Sequence, residues 1–203
     1  MRLMKLRLAT GLGLLILMAT MIGGPIGVSH AQDDQGGVTL ASLAGKFAGR
    51  GSGFFTLCFN AGFTAPEDCA TAPHQVPFNQ TGIFYRTGDV AGNFCGVITI
   101  TTAPVFGTKF PAGVSTTTQV GTTTFDPTTG SGTESFSRYA GGSCIGAVFD
   151  STGATLTGTT TRSFVVSDSG DRIESIITSF VSVAGSVKGN VFSQTAIRQQ
   201  PQD

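Results

Sequence analysis

The sequence predicts an all-β domain, an antiparallel meander closing into a barrel of roughly eight to nine strands, with a β-sandwich as the alternative. Three observations predict it. After an N-terminal apolar run, Thr, Val, Ile and Phe gather in short segments that suit a pleated surface, and no stretch carries a helical period. Turn signals rich in Gly and Asp cut these segments apart, at 126–130, 140–142, 150–153, 167–170 and 184–186. Several of the 29 glycines fall inside strand patterns, where they mark the bulges and bends that curl a sheet towards closure.

Taken in order, the chain opens with Arg2, Lys5 and Arg7, an apolar run over 8–28, and Ser29-His30-Ala31 ahead of Gln32-Asp33-Asp34. This is the layout of a bacterial Sec-type signal peptide occupying residues 1–31, cleaved after Ala31, and a retained membrane anchor is the alternative because the run approaches bilayer thickness. Cleavage leaves 172 of the 203 residues, enough for one domain with a substantial core. It also predicts a secreted or periplasmic protein with no stable membrane insertion. Losing Arg2, Lys5 and Arg7 takes the balance from 12 basic against 12 acidic residues to a formal net of −3, which argues against a nucleic-acid partner.

Residues 32–42 are polar and read as a flexible lead-in to a single barrel domain over 43–198, with 199–203 a polar tail. The first strand, 43–59, is long and broken by glycines, and its Phe54-Phe55-Thr56-Leu57-Cys58-Phe59 window is apolar enough to require burial in the middle of the sheet. Residues 60–80 carry Pro66, Pro73 and Pro77 and form an excursion without a strand pattern. A strand follows over 81–87, a turn over 88–93, and a buried strand over 94–102 with Phe94, Ile98 and Ile100 in one phase. A Pro- and Gly-spaced segment with Phe106 and Phe110 leads to a Thr-rich strand over 114–125.

Five more strands, 131–139, 143–149, 154–166, 171–183 and 187–198, complete the set. The stretches Phe125-Asp126-Pro127-Thr128-Thr129-Gly130 and Phe149-Asp150-Ser151-Thr152-Gly153 read as hairpin tips, with Asp accepting from turn N–H groups and Gly taking positive φ. In 187–198 one phase holds Val187, Val191, Thr195 and Ile197, with Phe192 the exception. In 171–183, Ile173, Ile177, Val181 and Val183 share a phase that Ile176 and Phe180 oppose, so this strand is expected to be partly covered on both faces.

Four cysteines remain after cleavage, an even number that in an exported chain predicts two disulfides. Of the three pairings, Cys58–Cys69 closes the proline-containing excursion and Cys95–Cys144 joins two strand starts that each follow a Gly-rich turn. No spacing matches a CxxC metal site and one histidine survives cleavage, so neither a metal nor another cofactor is expected.

The charges in phase with apolar residues are the candidates for ligand binding. Glu134 and Arg138 flank Phe136, and Arg162 shares a phase with Leu156, Phe164 and Val166; facing into a barrel, they would orient a polar group of a bound molecule, whereas a bulge would turn them out to solvent. His74, with Glu67 or Asp68 beside it in the excursion, has the chemistry of a general base, but no nucleophile motif completes a catalytic set and a surface histidine is the plainer reading. Asn79-Gln80-Thr81 is a short glycosylation pattern. An outer-membrane barrel is disfavoured by the lack of Trp, by having only Tyr85 and Tyr139, and by the polar end of the chain.

The opening Leu43-Ala44-Gly45-Lys46-Phe47, the Gly-punctuated hairpins and the closing Gly185-Ser186-Val187-Lys188-Gly189-Asn190 to Ala196-Ile197-Arg198-Gln199 resemble small secreted bacterial barrel proteins of the calycin-like or allene-oxide-cyclase-like kind. The resemblance implies a closed barrel and lies in the style of strands and turns; no catalytic motif of those families falls on these residues, so it implies no activity. The expected function is an exported barrel that takes a small apolar molecule as partner or acts as a non-catalytic binding module. A barrel-type cyclase or isomerase and a surface interaction or matrix protein are the alternatives.

Overall fold

The computed structural model describes residues 37–105, 108, 112–167 and 170–200. The expected signal peptide, the lead-in up to residue 36, Phe106, Phe110 and the end of the polar tail lie outside the described residues. The chain runs through β1 (Gly45–Phe59), β2 (His74–Gly88), β3 (Asn93–Thr102), β4 (Gly113–Asp126), β5 (Ser131–Ala140), β6 (Ser143–Ile145), β7 (Val148–Asp150), β8 (Thr155–Ser167), β9 (Arg172–Ser182) and β10 (Val187–Arg198). Eight of these close into an antiparallel barrel, β1-β10-β9-β8-β5-β4-β3-β2, while β6 and β7 pair only with each other. The meander and its closure are as the sequence predicts.

Three local expectations need correction. The expected strand at 143–149 is two three-residue strands folded back on one another, because Gly146 at φ 62° turns the chain midway. The stretch at 149–153 therefore leaves that hairpin instead of tipping one, although Asp150 still accepts from the Thr152 N–H at 3.0 Å and Gly153 still takes φ 70°. The proline excursion is also shorter than expected, since β2 begins at His74, opposite Phe59. Pro77 is tolerated there because β2 pairs with β3 only from Gln80 onward, so one side of the strand needs no N–H at that point. Residues 40–43 form a single 3-10 turn capped by Thr39, and Leu40 and Val38 pack on the core, joining the described part of the lead-in to the barrel.

The remaining differences are in phase, and bulges cause them. In β10 the register shifts opposite Phe54 and Phe55, so Val187 points inward but Val191 and Ile197 point out, and Phe192, Gln194 and Ala196 fill the interior. In β9 a shift beside Thr161 and Arg162 lets Ile173 and Ile177 face in before Phe180 takes over, which is why both phases of that strand are apolar. In β8 a shift at Arg138/Tyr139 leaves Leu156 outside, 42% exposed, while Arg162 and Phe164 stay inside. Each extra residue reverses the side chains beyond it. In the Phe54–Phe59 window Phe55, Leu57, Cys58 and Phe59 are buried, but Phe54 faces outward.

The interior is layered. One apolar cluster, with Leu43, Phe47, Phe84, Ile98, Phe164 and Ile173, fills the end where β1 begins; another, with Phe55, Leu57, Phe59, Phe78, Ile177 and Phe192, fills the opposite end. Glycines on the inner face make room for the rings, as an eight-stranded barrel has little to spare. A Cβ on Gly132 would stand 2.4 Å from Phe164 Cζ. The first end is sealed: Arg198 reaches from β10 to the carbonyls of Ala44 at 2.7 Å and Gly170 at 3.2 Å, and to that of Ser42, with its guanidinium 4.8 Å from the centre of the Phe47 ring.

Candidate ligand-binding site

Between the two apolar clusters lies a belt of buried polar side chains. Glu134 on β5 is directly opposite Arg162 on β8 and Thr123 on β4, so the ladder alone brings the three together. Arg86 on β2 reaches them across the interior. The Glu134 carboxylate is 1% exposed and accepts from Arg86 Nη1 on one oxygen and from Arg162 on the other, with Thr123 Oγ1 donating at 3.2 Å. Arg162 Nη1 also donates to Gln194 Oε1 at 2.5 Å. Burial works to raise the Glu134 carboxyl, but the Coulombic pull of Arg162 and Arg86 with their hydrogen bonds outweighs it, and the group is held below the usual carboxylate range.

The belt carries more cation than anion. Among the described residues the buried charges are Arg86, Arg138 and Arg162 against Glu134 alone. Aromatic faces take up part of the excess: Arg86 lies 5.3 and 5.2 Å from the centres of the Phe47 and Phe94 rings, and Arg162 lies 5.2 Å from that of Phe136. Burial lowers the Arg162 guanidinium, an effect that Glu134 opposes.

Arg138 is different. It sits on the inner face of β5, opposite Gln119, and is 5% exposed, yet no described side chain offers it a carboxylate or accepts a hydrogen bond from its guanidinium. What it has are aromatic faces: the centre of the Phe180 ring is 4.7 Å away, in space left because Gly158 is the neighbour of Arg138 on β8, and that of Phe136 is 5.8 Å away. Burial first, and the charge of Arg162 second, lower the Arg138 guanidinium to about 10.

Arg138 forms part of the wall of a pocket of about 270 Å³ at the end away from the Arg198 seal. Leu57, Phe78, Ile100, Val105, Phe180 and Val187 supply its apolar wall, and Ser115, Thr117, Thr157, Ser182 and Ser186 its hydroxyl groups. The buried Thr117 hydroxyl has no hydrogen-bond partner. Pro66 forms part of the rim and is carried by the excursion that the Cys58–Cys69 disulfide ties down. That excursion is held further by Cys69 N–H to Gly185 O at 3.0 Å and Glu67 N–H to Cys58 O at 2.9 Å. The second disulfide is Cys95–Cys144, so both expected pairings are present, and they suit an oxidising compartment.

The three charges singled out from the sequence thus all face the interior, but they do not act alike. Glu134 and Arg162 spend their polar atoms on each other and on Arg86, Thr123 and Gln194, whereas Arg138 lies at the pocket. Sequence reasoning missed Arg86, Gln119 and Gln194. The alternation Phe84–Arg86 against Ile83–Tyr85 in β2 held the clue, but both phases carry apolar residues and the outward pair is the one left exposed. His74 stacks on Phe63 with ring centres 4.0 Å apart, and no hydrogen bond or ion pair joins it to Glu67 or Asp68. A wider depression of about 810 Å³ between β4, β5, β8 and β9 includes the outward-facing Thr133, Val165 and Ile176 in its wall, so much of it is outer barrel surface. Comparison of the chain with protein-family models, with curated proteins and with solved structures gave no match.

Proposed function

We propose that this chain is an exported, non-catalytic barrel that binds a small, largely apolar molecule in the pocket at the end bounded by Leu57, Phe78, Phe180 and Val187. The observation that carries the reading is the contrast between the two ends: one is packed and sealed by Arg198, while the other keeps an apolar hollow of about 270 Å³. Concave, mostly apolar sites with a few polar groups are where small molecules bind. Because the polar belt fills the middle of the barrel, the ligand occupies the end and does not thread the centre. The pairing of Glu134 with Arg162 and Arg86 favours binding over the cyclase or isomerase alternative, since both oxygens of the buried carboxylate are already engaged. Export through the signal at 1–31 accords with the two disulfides.

Native mass spectrometry of the mature protein purified from its own host, followed by denaturation, tests the reading. A released small molecule in stoichiometric amount is the expected result. A protein that carries nothing and takes up no apolar probe would overturn it.

A further inference from the structure

We infer that Arg138 selects an anionic ligand, and that the molecule bound in the end pocket is a monocarboxylate with a compact apolar body. The inference rests on the binding reading above and adds the chemistry of the head group. An arginine only 5% exposed, whose buried Nε–H has no hydrogen-bond partner and whose guanidinium has no described carboxylate beside it, is an arrangement that folding disfavours unless something completes it. The rings of Phe180 and Phe136 offset part of that cost but bring no negative charge.

The stoichiometry of charge favours a carboxylate over a phosphate. Arg162, the next cation, is bound to Glu134 and Gln194, so a single guanidinium is on offer and it matches a single negative charge. The planar fork of donors fits the two oxygens of a carboxylate, and the unpartnered Thr117 hydroxyl is a second donor in the same wall. Leu57, Phe78, Phe180 and Val187 leave the rest of the space to hydrocarbon.

Matched probes separate this inference from the reading on which it rests. Calorimetric titration of the mature protein with 3-phenylpropanoate and decanoate, and with their amides of nearly equal shape, is expected to show a preference for a carboxylate of about tenfold or more, the scale of a charge-assisted bond formed out of water. In Arg138→Met the preference disappears, and Arg138→Lys restores part of it. Equal affinity for acid and amide in the wild-type chain, a comparison that needs no variant, would overturn the carboxylate inference and leave the apolar site standing. No binding of any of the four probes would overturn both.

Discussion

Glu134 and Arg138 lie four positions apart on the same face of β5, either side of Phe136, and they divide the two jobs a buried charge can have. Glu134 is bonded by two guanidiniums and a hydroxyl, so replacing it by Gln leaves the buried Arg86 and Arg162 without the anion they share. We expect Glu134→Gln to cost about 3–5 kcal/mol in urea unfolding, the scale for breaking a buried pair from one side. Its carboxyl is lowered in the folded state, so its contribution is fully present above the ordinary carboxylate pKa and is lost as pH falls through the folded value; acid unfolding of the wild type should begin in that window, and the variant should lack that component. Arg138 is the reverse case. Its folded value of about 10 lies below the ordinary one, so the charge subtracts from stability at all pH below about 10 and the cost fades as pH rises from there. Arg138→Met should therefore stabilise the ligand-free protein, by about 1–3 kcal/mol, while abolishing the preference for a carboxylate. A variant that lost stability along with binding would make Arg138 a structural residue. For the same reason, affinity for a carboxylate probe should decline as pH rises through about 10.

At the scale of elements, the two disulfides have different duties. Cys95 and Cys144 are separated by 49 positions and Cys58 and Cys69 by 11, so on chain-entropy grounds the first stabilises by about 4 kcal/mol and the second by about 3. Double Ser variants should melt in that order of severity. Removing Cys58–Cys69 should also weaken ligand binding, because the rim residue Pro66 is on the loop that it ties. The strands themselves were legible in the sequence, since Thr, Val, Ile and Phe segments between Gly and Asp turns have few other structures open to them. Which face of a strand looks inward was less legible. Val191 and Ile197 read as core and face out, and Leu156 does the same, because single-residue bulges in β10 and β8 reverse the phase and leave no separate mark in composition. The hairpin of β6 and β7 reads as one barrel strand in the sequence because Gly146 sits inside an otherwise strand-like run.

For the whole molecule, the layering explains why an eight-stranded barrel whose centre is full can still bind something. Rings on both sides of a polar belt occupy the lumen; the sealed end takes Leu40 and Leu43 against its cluster, and the other end keeps its hollow. The candidate site was half legible. Glu134, Arg138 and Arg162 could be picked out by their phase with Phe136 and Phe164, but their division into a paired belt and a charge at the pocket depends on Arg86 arriving from the far side of the barrel, a contact 48 positions away in sequence that no local pattern reports. The central claim is that the ligand occupies the end pocket. Methyl, aromatic and arginine Nε–H NMR spectra of the mature protein, recorded as 3-phenylpropanoate is added, test it most directly. The account predicts shifts concentrated at Leu57, Phe78, Val105, Phe180, Val187 and the Arg138 Nε–H, with Phe164 and Ile173 at the sealed end unchanged. Shifts centred on Val165 and Ile176 in the outer depression, or no shifts at saturating probe, would contradict it.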